Sequence, residues 1–115
     1  MPRRKADVLQ GTLGLMILKT LEAMGPVHGY SLARRIEQTS GDQLSINQGT
    51  IYPALLKLQH HGWVTTKWGA SDTGRRVKFY SITRRGHQQL QDEESDWLRA
   101  TGIVAKFFKL SRELP

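Results

Sequence analysis

The sequence describes a short, basic chain without cysteine. Its 115 residues include 17 lysines and arginines against 10 aspartates and glutamates, for a net charge of +7 at pH 7. The lack of cysteine excludes disulfides, thiolate metal sites and cysteine nucleophiles. No apolar run approaches the ~20 residues of a membrane span, and no secretory leader is evident. We therefore expect one small domain in the cytoplasm, away from membranes.

The positive charge is concentrated in the first ninety residues. Six lysines and arginines stand against three acids in residues 1–40, seven against two in residues 41–90, and four against five in residues 91–115. This distribution is typical of a domain that binds a polyanion, followed by a separate association segment. A solvated basic surface would have the same charge, so the distribution alone does not decide between the two.

The first forty residues predict two helices. Apolar residues recur at three- and four-residue steps from residue 7 to residue 24, which is helical spacing, and Gly25-Pro26 ends that helix. The helix is apolar on two faces, so one face needs another element or a second chain to cover it. The second apolar face consists of Val8, Leu15 and Leu18. A second helix is predicted from residue 29 to residue 39, before turn residues at 40–42.

A third helix is predicted from about residue 48 to residue 61. Asn47 is its expected N-cap, and a capping box of Ser45 and Gln48 is the alternative. Gly62 ends the helix, because glycine accepts the left-handed backbone that commonly follows a last helical turn.

A β-hairpin is predicted next, because β-rich runs at 63–68 and 77–82 flank a loop of turn-forming residues at 69–76. Three helices followed by a basic hairpin form the winged helix-turn-helix arrangement. The expected fold is therefore mainly α with a small β-hairpin. We assign residues 1–83 to a winged helix-turn-helix domain that binds DNA and residues 84–110 to a C-terminal dimerisation helix.

Three segments resemble the PadR family of bacterial transcriptional regulators. His-Gly-Tyr-Ser-Leu at 28–32 resembles the start of the family's second helix, and Gln-Gly-Thr-Ile-Tyr-Pro-Ala-Leu at 48–55 resembles its recognition helix. Residues 74–83 with Arg-Gly at 85–86 resemble its wing and last helix. The resemblance covers roughly residues 9–98. It implies a homodimer that binds a palindromic operator, usually as a repressor, and often responds to a small molecule. The short C-terminal helix fits the compact subgroup.

The start of the third helix holds the candidate base-reading residues. They are Asn47, Gln48, Gly49, Thr50 and Tyr52. The major groove admits one helix, in which glutamine and asparagine pair with adenine and a threonine methyl contacts a thymine methyl. Asn47 is also explained as a plain cap, and Tyr52 as a residue partly buried against the second helix. Lys57, further along, is expected to contact the phosphate backbone.

Cations on the hairpin are the candidate phosphate contacts of the wing. They are Lys67, Arg75, Arg76 and Lys78. Arginines near the tip also suit a narrow minor groove, whereas the alternative is a solvated turn. Weaker phosphate candidates on the second helix are Tyr30, Ser31 and Arg34. The basic residues Arg3, Arg4 and Lys5 form either a flexible arm or a solubilising tail.

The last helix is predicted to begin at Thr83 or Ser81 and to extend to about Phe108. Its apolar residues recur at seven- and four-residue steps, which favours packing against the first helix of a partner. A twofold dimer would place two recognition helices ~34 Å apart; the alternative is a helix folded back on its own domain. The dimerisation candidates are Val8, Leu15, Leu18, Leu90, Trp97, Leu98, Val104 and Phe108.

A separate hypothesis places a ligand site at Trp97. Near a dimer axis, two indole rings would sandwich a flat aromatic effector, since their faces stack and bury large areas. Plain packing in the interface is the alternative.

The sequence gives little support to catalysis. Gly69 and Gly74 have the glycine spacing of a P-loop, but the lysine and hydroxyl residue of that motif are missing. The histidines have no metal-ligand spacing. We therefore expect no enzymatic activity, no cofactor and no metal. The competing function is a winged-helix adaptor that binds proteins without reading DNA, and steep salt dependence of DNA binding would distinguish the two.

Overall fold

The computed structural model describes residues 4–111, with side chains described for residues 12–111. In chain order the elements are α1 (Arg4–Met24), β1 (Val27–His28), α2 (Gly29–Thr39), α3 (Gln48–His60), β2 (Val64–Ala70), β3 (Arg76–Ile82) and α4 (Arg84–Phe108). The predicted winged helix-turn-helix architecture, mainly α, is confirmed. The first helix begins three residues earlier than expected, and both strands of the hairpin extend nearer to its tip.

The sheet has three strands, not the two of the predicted hairpin. Its order is β1-β3-β2 and both pairings are antiparallel. The extra strand pairs Val27 with Tyr80 and His28 with Phe79. Gly25, at φ 76°, turns the chain out of α1 and lets the next residues lie along the edge of β3. Two residues are too few for a periodic pattern, so β1 could not be predicted from the sequence.

The core is formed where α1, α2 and α3 meet one face of the sheet. Its fully buried side chains are Ile17, Leu18, Leu21, Leu32, Ile51, Leu55, Val64 and Leu90. Leu18 is 0% exposed and Leu90 is 2% exposed within a single chain. The expectation that these two contact a partner is therefore wrong. The second face of α1 is covered partly by the chain's own α4, which packs directly against it.

The start of α4 is fixed against the corner between α3 and β2. Thr83 is the N-cap: its hydroxyl accepts a hydrogen bond from the Gly86 amide (3.0 Å) and donates to the Gly62 carbonyl (2.7 Å). This decides between the two predicted starts in favour of Thr83. A Cβ at Gly86 would overlap the carbonyl oxygen of Trp63. Only glycine therefore allows the first turn of α4 to lie this close.

The two halves of α4 have different surroundings. Near its start, Leu90 is buried and His87 lies 3.0 Å from the Glu22 carboxylate of α1. From Glu94 to Ser111 every residue is exposed in the single chain. The helix has 25 residues and its projecting half accounts for the long dimension of the molecule, 66 Å against 32 and 21 Å.

Candidate nucleic-acid interface

The exposed side of α3 begins with polar residues. Its buried side chains are Ile51, Leu55 and Leu58, spaced by one helical turn. Gln48 and Gly49, in the first turn of the helix, are exposed, as is Lys57 further along. The helix therefore presents its N-terminal residues to solvent while its apolar stripe holds it to the core.

Asn47 occupies the N-cap position but does not cap with its side chain. Its backbone is extended (φ −95°, ψ 175°), as an N-cap requires. Its Oδ1 instead accepts a hydrogen bond from the Thr50 hydroxyl, at 3.1 Å. The predicted position is thus confirmed, the side-chain cap is wrong, and the capping box with Ser45 is not formed. Asn47 is exposed and its carboxamide NH₂ is not used in this bond, whereas Thr50 is half-buried.

The turn between α2 and α3 is held by Glu37. One carboxylate oxygen accepts a hydrogen bond from the Ile46 amide (2.8 Å), and the other lies 3.0 Å from the Arg34 guanidinium. The amide bond, and then the Arg34 bond, lower the pKa of Glu37 below its usual value. The sequence pattern does not reveal this role of Glu37, because a contact nine residues away leaves no periodic signal.

This contact changes the expectation for Arg34. Its charge is already paired with Glu37, so it offers less to a phosphate than an unpaired cation would. Ser31 is also engaged, since its amide and hydroxyl lie within 3.4 and 3.1 Å of the His28 ring nitrogens. Tyr30, by contrast, is exposed on the outer side of α2.

Tyr52 packs across the first residue of α2 and also faces solvent. A Cβ on Gly29 would lie 2.7 Å from its ring, yet the tyrosine is 40% exposed. Both interpretations of this residue therefore apply. Beyond its hydroxyl opens a groove of about 670 Å³ between the start of α2, α3 and the wing, here defined as β2, β3 and the loop between them. Tyr30, Arg75 and Lys78 also line it.

The tip of the wing is a compact, internally bonded loop. The Ser71 amide donates to the Arg75 carbonyl (2.8 Å), and the Gly74 amide donates to the Ser71 carbonyl (2.9 Å). Gly74 adopts φ 82°, which glycine accepts without strain. The Ser71 hydroxyl accepts from the Arg75 amide at 3.2 Å. The loop thus bonds to its own backbone, and Arg75 at its end is exposed.

Strand register separates the cations of the wing. Lys78 lies opposite Trp68 and Arg76 opposite Ala70, so both share one face of the sheet. Lys67 lies opposite Phe79 and belongs to the other face. The structure therefore brings Arg76 and Lys78 together and separates Lys67 from them.

The cations of the wing have no acidic partner in the described part of the chain. The four ion pairs among residues 12–111 involve Lys19, Arg34, His87 and Arg99 as cations. Asp72, in the loop, belongs to none of them. In the same range, no three His, Asp or Glu side chains come together as metal ligands, and no helix within residues 4–111 has the length and hydropathy of a membrane span.

Comparison with protein-family models shows to which family this winged helix-turn-helix chain belongs. Residues 17–92, more than half of the chain, match the model of the transcriptional regulator PadR-like family. The chain belongs to the PadR-like family of transcriptional regulators. Such regulators are not enzymes, and the resemblance inferred from three sequence segments is confirmed.

Solved structures agree with this assignment of the PadR-like chain. A transcriptional regulator from Clostridium thermocellum superposes with a TM-score of 0.79 at 26% identity, covering 90% of this chain and 99% of that one. A PadR-like regulator from Bacillus cereus gives 0.77 at 27%, covering 91% and 99%. The negative transcriptional regulator PadR of Bacillus subtilis is 31% identical over 68 residues, which is 59% of this chain and 37% of that longer protein.

The second candidate surface of this PadR-like chain lies at α4 and is apolar. Leu15 and Trp97 line a cleft of about 390 Å³ between α1, α2 and α4, with Lys19 and Glu94 also on its walls. Beyond it, α4 exposes large apolar side chains; these are Leu98, Ile103, Val104, Phe107 and Phe108, followed by Leu110. We call this projecting part of α4, with Trp97, the association surface.

Some predicted residues lie outside what the structure describes. Arg3 precedes the described residues. The side chains of Arg4, Lys5 and Val8 are outside the described set, although the backbone of α1 begins at Arg4. Of the eight predicted dimerisation residues, the structure therefore leaves Leu15, Trp97, Leu98, Val104 and Phe108 as described and accessible.

Proposed function

We propose that this PadR-like regulator binds duplex DNA as a homodimer, with α3 in the major groove and the wing along the phosphate backbone. The observation that carries the proposal is the set of cations without acidic partners that borders the exposed start of α3. Arg75 and Lys78 line the same groove as Tyr52. A chain of net charge +7 that leaves these charges uncompensated beside a helix start is suited to a polyanion.

Within this proposal the residues divide by what they contact. Gln48 and the free NH₂ of Asn47 have the donors and acceptors that base edges recognise in the major groove. Thr50 offers its methyl group, and Gly49 has no side chain to keep the backbone from the groove floor. Lys57 contacts phosphates beyond the reading positions. This division predicts sequence preference from α3 and affinity without sequence preference from the wing.

The wing and α2 contribute mainly to backbone contact. Arg75 and Arg76 lie at and beside the tip, where guanidinium groups fit either phosphates or a narrow minor groove. Tyr30 contributes a phenolic hydroxyl from the wall of the groove. Lys67 faces away from Arg76 and Lys78 and contacts DNA only if the wing lies edge-on against the duplex.

Homodimerisation is supported by the association surface. Monomeric proteins seldom expose contiguous apolar patches of this kind, and such patches mark interfaces. A second copy would cover Val104 and Phe108 with its own α1 and α4, and its Trp97 would approach the axis. Closed twofold symmetry then sets two recognition helices about one DNA turn, ~34 Å, apart, which requires a palindromic operator.

Repression and effector release complete the proposed function. The Bacillus subtilis relative is a negative regulator by name, and this chain spans 37% of its length. Trp97 lines the apolar cleft beside α1, so a flat aromatic molecule stacked on it would alter the packing of α4 and the spacing of the two recognition helices. Plain packing of Trp97 against a second copy remains the competing role.

Selection of bound duplexes from a random pool tests the proposal most directly. The expected result is a palindromic site whose half-sites lie about one helical turn apart, with binding that weakens steeply as salt rises. Sedimentation at micromolar concentration should show a dimer. A chain that enriches no sequence and binds duplex DNA no better at low salt than at high salt would point to the protein-binding adaptor instead.

A further inference from the structure

The wing carries an exposed tryptophan that the proposed DNA contacts do not explain. Trp68 is 53% exposed, although indole is among the side chains that gain most from burial. It shares a sheet face with Val64 and Tyr80, which belong to the core, but the Trp68–Lys78 pair lies two register positions beyond the pair that contains Tyr80. Its position beyond the core means that packing within the domain does not account for it.

Two cations lie against the indole ring. The guanidinium carbon of Arg76 is 4.8 Å from the ring centroid, and the ammonium nitrogen of Lys78 is 5.6 Å from it. Both distances are within the range of cation–π attraction. Lys78 is the cross-strand partner of Trp68, and Arg76 pairs with the next residue but one. Strand register therefore places both cations beside the ring.

A tryptophan and a carboxylate have different effects on the net charge of the cations beside them. An acid would fix the two side chains but cancel part of their charge, and no ion pair of the wing exists among residues 12–111. The indole ring restricts the same side chains and leaves both charges intact. Free lysine and arginine lose considerable rotamer entropy when they are ordered. A pair that is already ordered loses less when it contacts phosphates.

We infer that Trp68 is a positioning residue of the wing, which holds Arg76 and Lys78 side by side, fully charged, for contact with the DNA backbone. The inference rests on the proposed function and deepens it. Lys78 links the cluster to the groove that also contains Tyr52 and Arg75. The role of Trp68 is thus exerted through the two cations and needs no contact between the indole and a base.

A double-mutant cycle on the full chain separates this role from others. The probe is a labelled duplex of mixed sequence, titrated by fluorescence anisotropy. Trp68→Leu should weaken binding about two- to tenfold, and Trp68→Phe should recover most of the loss, since a phenyl face also attracts cations. In a chain that already carries Arg76→Gln and Lys78→Gln, Trp68→Leu should have no further effect.

Lys67 provides the matched control, because it is a wing cation on the opposite face of the sheet. Trp68→Leu and Lys67→Gln should act independently, so their effects multiply. Unchanged binding in Trp68→Leu, a full effect of Trp68→Leu in the double-glutamine background, or no recovery with phenylalanine would each overturn the positioning role. If the wild-type chain does not bind the duplex, the proposed function itself is wrong. If the wild type binds and Trp68→Leu binds equally well, only the positioning role is wrong.

Discussion

The recognition surface, formed by α2, α3 and the wing, is complete in one chain, whereas the association surface is not. In the former, Glu37 holds the turn before α3 and Ser71 holds the wing tip, while the wing cations have no acidic partner among residues 12–111. In the latter, Val104 and Phe108 are exposed on the projecting half of α4. One chain therefore suffices to position the groups of the proposed DNA-binding surface, whereas the apolar side chains of the projecting helix are not buried within that chain.

Among the predicted changes, the greatest loss of stability should come from a substitution at Gly86, where the start of α4 packs against Trp63. Gly86→Ala should lower the free energy of unfolding by about 3 kcal/mol, because its Cβ would meet the backbone carbonyl of Trp63, which cannot move aside without displacing β2 or α4. At Gly102, in the same helix, a Cβ would meet open space. Gly102→Ala should therefore raise the free energy of unfolding by up to about 1 kcal/mol. Urea unfolding measures both. A stable Gly86→Ala variant would show that α4 does not lie as close to Trp63 as described.

A single negative charge within the association surface should weaken dimerisation. Val104→Asp should raise the dimer dissociation constant about thirtyfold, equivalent to ~2 kcal/mol, because a carboxylate would be buried without a partner. Ser95→Asp adds the same charge on the opposite side of the same exposed helix and serves as the control. Sedimentation over a range of concentrations measures the change. Equal effects of the two substitutions would contradict an interface on the apolar side of α4.

The recognition surface should respond through salt dependence. Replacing Arg75 and Arg76 together with glutamine should flatten the slope of log affinity against log salt by about 1.8, since each lost phosphate contact contributes ~0.9. Gln48→Ala should leave that slope almost unchanged and cost about 1–3 kcal/mol at particular base pairs. Titrations of the selected site and of scrambled duplexes at several salt concentrations measure both. Identical behaviour of the two variants would remove the division between base-reading and backbone-binding residues.

The smallest expected effect concerns the turn held by Glu37. Because the pKa of Glu37 is lowered in the folded chain, its bonds stabilise the fold above the usual value of 4.5 and are lost as pH falls below it toward the lowered pKa. Wild type should therefore lose more stability than Glu37→Gln on acidification. Thermal melts of both chains between neutral and acidic pH measure the difference. Parallel losses would show that the bond to Ile46 does not stabilise the turn.

Local signals allowed much of the fold to be predicted. The apolar spacing of α2 and α3 gave their extents to within a residue, and Gly62 marked the end of α3 as expected, with φ 79°. The positions of α3 and of the hairpin that carries the wing cations were predicted in the same way, since periodicity and turn chemistry are properties of neighbouring residues. The role of Glu37 was missed because it depends on an amide that only the folded turn brings near.

The predictions that were wrong or incomplete concern features that depend on contacts in the folded chain. Leu18 and Leu90 carried the same helical pattern as Leu15 and Trp97, but only the fold shows that the first two face each chain's own core. The strand β1 was missed because its two residues depend on β3 for their pairing. Asn47 was expected to cap α3 with its side chain, yet Thr50 competes for the same oxygen.

Composition and short-range spacing were enough to predict the order of the helices and of the hairpin, the basic character of the first ninety residues and the resemblance to the PadR family. The folded chain was needed to show which apolar residues of α1 are covered from within, which wing cations share a face, and that two cations lie against the Trp68 ring. Those outcomes depend on strand register and helix packing, which bring together residues far apart in the chain.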